Sequence, residues 1–78
     1  MKKPKPIEQF NKKLGKRIRQ YRVKRGMKVN DFLDALADKG LLTTRMSLNN
    51  WEQGRVTLGL SKIELIAKAL RVRTEKLI

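Results

Sequence analysis

The sequence predicts an all-α domain of four helices and a terminal stub. Three observations carry this: apolar residues recur every three or four positions, Gly and Pro fall between those runs, and no alternating strand pattern occurs. Pro4 and Pro6 set residues 1–6 apart as an extended basic arm, with Pro6 suited to a helix start, so residues 7–78 form the single domain. The first helix is expected from Ile7 to Arg25, on the stripe Ile7, Phe10, Leu14, Ile18 and Tyr21, with Gly26 closing it in the left-handed conformation. Gly15 inside this helix costs about 1 kcal/mol against Ala, which predicts frayed first turns.

The second helix is expected over Val29–Lys39. Val29, Phe32, Leu33, Leu36 and Ala37 form its apolar face, Asn30, Asp31, Asp34 and Asp38 its polar face, and Gly40 stops it. Its start is poorly capped by Lys28. After the connection KGLLTT, a third helix runs from a Thr43 or Thr44 cap to Gly54. In LSKIEL, residues 60–65, Ser61 and Glu64 have capping-box spacing and Leu60 is placed to staple onto Leu65. Ile63, Ile66, Ala67 and Leu70 continue that fourth helix to Leu70, and Thr74 caps a last turn carrying Leu77 and Ile78.

Composition bounds the function. A chain of 78 residues buries only about 60% of its unfolded surface, which leaves little room for an enclosed site. It has no Cys and no His, so thiol nucleophiles, zinc or iron–sulfur ligation and imidazole acid–base chemistry are absent from its repertoire. No enzyme, no metal and no cofactor is expected. No apolar run approaches a membrane span, and the start MKKPKP leads into a charged helix, so a soluble protein of a reducing compartment such as the cytoplasm is expected.

The net charge of +13 is unevenly spread: twelve of the twenty basic side chains lie in residues 1–28, against one acid, Glu8. A polyanion suits such a field, because neutralising phosphates releases condensed counterions. A basic surface kept for solubility is the blander explanation. On a helical wheel, Leu48 and Trp51 centre the inward face of the third helix, with Thr44 and Glu52 beside them. Met46, Asn49, Asn50 and Gln53 point away, with Arg45 and Ser47 on the flanks. An outward face with no Lys and no Glu is unusual for a solvated helix. Its side chains match base edges: Asn pairs bidentately with adenine, Arg with guanine, and a Met tip can touch a thymine methyl.

The order of elements then resembles the helix-turn-helix domains of the Cro and phage-repressor family, over roughly Leu14 to Leu77. RVKRGMKVNDFL is similar to that family's first junction, SLNNWEQG to the end of its recognition helix, and LIAKALRVRTEKL to its closing helices. The resemblance implies a small four- to five-helix bundle like that of lambda repressor. It implies Thr44 as the cap of the recognition helix, Arg45, Met46 and Asn50 as base contacts, and Asn49 on a base or a phosphate. Ser47 is placed nearer the DNA backbone, and Glu52 pairs with Arg22. Val29 departs from the family, whose usual polar residue there holds a phosphate or props the recognition helix; Lys28 or Asn30 substitutes. KGLLTT is longer than the family's turn, so either the second helix is extended or the loop bulges, and Arg71 replaces a frequent glycine.

Geometry adds Arg55 and Lys28 as phosphate clamps, and Lys2, Lys3 and Lys5 as an arm along the duplex or in a minor groove, against the equal alternative of a disordered arm that contributes little. Trp51, Tyr21, Phe10 and Phe32 lie on apolar stripes, so core packing is expected of them over base stacking. Asp31, Asp34 and Asp38 form an acidic strip, read either as charge balance or as a contact for RNA polymerase. The expected function is a sequence-specific regulator of transcription, by default a repressor, of a phage, plasmid or other mobile element. The resemblance implies a homodimer on a pseudopalindromic duplex, with Ile7 and Phe10, or Leu77 and Ile78, as candidate interfaces. An antitoxin-like interaction module and a nonspecific basic nucleic-acid binder remain the alternatives.

Overall fold

A computed structural model of the chain describes residues 5–78. Lys2 and Lys3 of the arm lie outside the described residues. The elements are α1 (Pro6–Lys24), α2 (Val29–Asp38), α3 (Arg45–Glu52), α4 (Leu60–Leu70) and a 3-10 turn, η1 (Thr74–Lys76). No strand occurs among the described residues.

Leu14 and Ile18 of α1, Phe32 and Leu36 of α2, Leu48 and Trp51 of α3, and Ile63, Ile66, Ala67 and Leu70 of α4 converge on one core. Leu77, just after η1, closes it and is fully buried. The apolar stripe of α1 outruns that core: Phe10 is 39% exposed, against the expectation of packing, because the core takes up α1 only from Leu14 onward. Tyr21 is half-buried and packs on the core edge. Ala37, expected on the apolar face of α2, is exposed.

Helix ends follow local chemistry with two corrections. The backbone N–H of Lys28 donates to the Asp31 carboxylate at 2.9 Å, so α2 is capped from within by its own third residue. The spacing of Ser61 and Glu64 does not start α4: Gly59 is the N-cap, Leu60 is 59% exposed, and no side chain caps the helix. The start is set instead by burial. Leu58 and Ile63 stand at the N′ and N4 staple positions, and both are in the core. Among the described residues, no helix is long and apolar enough to cross a membrane.

Arg71 ends α4 in the left-handed region, at φ 59° and ψ 40°, where an L side chain costs about 1–2 kcal/mol. Its carbonyl and that of Leu70 accept from the Arg25 guanidinium, both at 3.1 Å, and a glycine keeps those bonds. Arg71→Gly is therefore expected to raise stability by about 0.5–1 kcal/mol after its own backbone-entropy cost, measured by urea unfolding.

Candidate nucleic-acid interface

The connection from α2 to α3 is a bulged loop and not an extended helix. Gly40 closes α2, its N–H donating to Ala37 O at 2.9 Å, and the N–H of Leu41 reaches Leu36 O at 2.9 Å. Leu41 then packs against the core while Leu42 is 85% exposed. Thr44 caps α3: its hydroxyl oxygen accepts from the Ser47 N–H at 3.1 Å, and its O–H donates to Ser47 Oγ at 3.2 Å. The Thr44 hydroxyl is thus occupied, and the Ser47 O–H keeps its proton for an outside acceptor.

The C-terminal half of α3 is locked onto α1 by backbone contact. A Cβ on Gly15 would strike Trp51 O and stand 2.7 Å from Glu52 O. Gly54, at φ +71°, lies so close that its Cβ would stand 2.6 Å from Lys12 Cα. Two glycines thus permit an approach that no other residue allows. Gly15 is buried within a helix that runs unbroken from Pro6 to Lys24, and its missing side chain is what lets α3 pack so closely there. Asn11, 8% exposed, adds a bond from Nδ2 to Thr57 Oγ1 at 3.0 Å, beside the same junction.

An ion pair finishes the lock. Arg22 Nε donates to Glu52 Oε2 at 2.8 Å and Arg22 Nη2 to Glu52 Oε1 at 3.2 Å, a bidentate fork. Arg22 Nη1 also donates to Met27 O at 2.9 Å, so one guanidinium ties α1 to α3 and to the α1–α2 junction. The two side chains retain 13% and 8% exposure, so the pair is shielded from solvent.

What α3 turns outward is then fixed. Arg45, Met46 and Asn49 are exposed, Met46 at 76%, while Asn50 and Ser47 are half-buried at the flank. Arg45 Nε donates to Asn30 Oδ1 at 3.0 Å, so Asn30 fills the propping position that Val29 cannot, and Val29 packs on the core. Arg55 Nη1 donates to Asn50 Oδ1 at 3.3 Å, holding that amide at the far end of the same face. Lys28 is exposed at the start of α2. Asp34 and Asp38 are exposed, whereas Asp31 is engaged in capping.

Sequence reading missed Arg19 at this site. It lines a depression of about 220 Å³ with Arg45, Asn49 and Gln53, floored by the Arg22–Glu52 pair. The signal was present: Arg19 is three residues from Arg22 and four from Gly15, on the side of α1 that meets α3.

Residues 18–77 match the family described as Helix-turn-helix. No curated protein and no solved structure matches the chain. The match takes in α2, the loop, α3 and the closing helices but begins at Ile18, so Gly15 and Lys12, on which the end of α3 rests, precede it. By that match, most of its length, the chain belongs to the Cro and phage-repressor type of helix-turn-helix family, a family of DNA-binding regulators of transcription.

Proposed function

We propose that the chain reads duplex DNA sequence-specifically through α3 and represses transcription by covering promoter DNA, in the service of a phage, plasmid or other mobile element. The observation that carries this reading is the outward face of α3. Two of its bidentate-capable side chains, Arg45 and Asn50, are each steered by a neighbour, Asn30 and Arg55. With Nε engaged by Asn30, Arg45 keeps both terminal nitrogens for guanine O6 and N7. Asn50 keeps its amide nitrogen for adenine N7, Met46 offers a methyl to thymine, and Asn49 stands between bases and backbone.

Lys28, Asn30, Ser47, Arg55 and the missed Arg19 are assigned to phosphates around that face. Thr44 is assigned there through the helix end that it organises, since its hydroxyl is occupied. The residues before Ile7 serve as a basic arm to the domain that follows, and the chain acts as a homodimer on half-sites about 34 Å apart. Ile7 and Phe10, 49% and 39% exposed, supply its contact; Leu77, fully buried, is withdrawn from that role.

Arg45→Ala and Asn50→Ala are each expected to cost about 1–3 kcal/mol on a preferred duplex and to relax one base position. Binding to unrelated duplexes should stay nearly unchanged. Anisotropy titrations on both duplexes check this. Equal weakening on the two would assign these side chains to the backbone and sink the base-reading role.

A further inference from the structure

Much of the positive charge lies away from the face that α3 presents. Two adjoining depressions, about 260 and 530 Å³, share Tyr21, Lys24 and Lys76; Arg17 lines the first, Arg71 and Arg73 the second. At about 100° per residue, Arg17 lies about 160° around α1 from Gly15, the residue that meets α3. This second basic face therefore points away from the reading face.

Its cations differ in availability. Arg25 is spent on the Leu70 and Arg71 carbonyls, and Arg17 donates to Ile78 O at 2.8 Å. The side-chain ammonium groups of Lys24 and Lys76 form no hydrogen bond or ion pair among the described residues. The one acid nearby, Glu75, stands 3.6 Å from Arg73, and both side chains are largely exposed, so solvent screens the pair.

The partner's chemistry follows from what the face lacks. A protein partner needs a desolvated apolar centre, whereas Tyr21 and Val72 are half-buried and the rim is cationic. A phosphodiester backbone needs only such a rim. We infer that this face holds the backbone of a second duplex while α3 occupies the first, so that a single chain bridges two DNA segments. The inference rests on the proposed duplex-binding role of α3.

The test immobilises one short duplex on beads, saturates it with the full chain, and measures retention of a second, labelled duplex. Wild type should retain it. Lys24→Glu/Lys76→Glu should lower retention about tenfold while affinity for the first duplex changes less than about threefold. Lys24→Gln/Lys76→Gln should give a smaller loss in the same direction, and Lys39→Glu/Lys68→Glu, an equal charge change in a depression that shares only Arg71 with this face, should leave retention intact. Thermal melts of each variant verify that it is folded.

No retention by wild type overturns the inference, as does equal loss in the Lys39/Lys68 variant, which would make net charge the cause. Parallel loss of affinity for the first duplex also overturns it, by placing this face on the path of one wrapped duplex. Loss of retention in Ile7→Ser/Phe10→Ser would put the link between protomers and overturn it equally. Failure to bind the first duplex at all would instead strike the duplex-binding role of α3.

Discussion

Gly15→Ala is expected to destabilise the domain by about 2 kcal/mol or more, although helix propensity alone favours the change by about 1 kcal/mol. The added methyl would meet Trp51 O and stand 2.7 Å from Glu52 O, and these are backbone atoms with no rotamer to yield. Relief requires α3 to move off α1. Such a shift also strains the Gly54 contact with Lys12 and the Arg22–Glu52 fork, so the loss should reach DNA binding as well as stability. Urea unfolding checks the sign: if Gly15→Ala proved more stable than wild type, the close approach of the two helices would be wrong.

The second large effect is expected at Arg22. Arg22→Met leaves the Glu52 carboxylate buried without its partner and removes the donor to Met27 O, at a cost of about 3–5 kcal/mol. A domain of this size has only about 4–12 kcal/mol in total, so the variant should be partly unfolded at room temperature. Adding Glu52→Leu removes the stranded charge and should restore a substantial part of the loss. The coupling between the two positions, from a double-mutant cycle in urea, measures the pair directly. Additive losses would mean that the fork adds nothing beyond separate packing.

These two contacts show what was legible in the sequence. The pairing of Arg22 with Glu52 followed from the resemblance to phage repressors and from a wheel that put Glu52 inward, because both rest on local spacing. The role of Gly15 was not legible. Local propensity describes only its own helix, whereas its function is set by carbonyls of α3 that reach it through the tertiary fold. The start of α4 failed similarly: Ser61 and Glu64 imitate a capping box, but burying Leu58 fixes the entry of the chain. Periodicity marked Phe10 as core because a helical stripe continues whether or not a partner helix lies beside it.

At the site, the identity of the outward residues was readable from the wheel, since α3 has one apolar face. Their steering was not. Asn30 reaches Arg45 across the KGLLTT loop, which is longer than the family's turn and leaves the angle of α3 to be set elsewhere. That angle is set from the other end, where Trp51, Glu52 and Gly54 rest on α1, so the KGLLTT loop can bulge without tilting the helix.

Selection of bound sequences from a random duplex library, run in parallel with wild type and Arg45→Ala, tests the central claim most directly. The account predicts one enriched motif for wild type, and for Arg45→Ala the same motif with a single degenerate position per half-site where a guanine had been preferred. No enrichment by wild type, or an unchanged motif with Arg45→Ala, would contradict it.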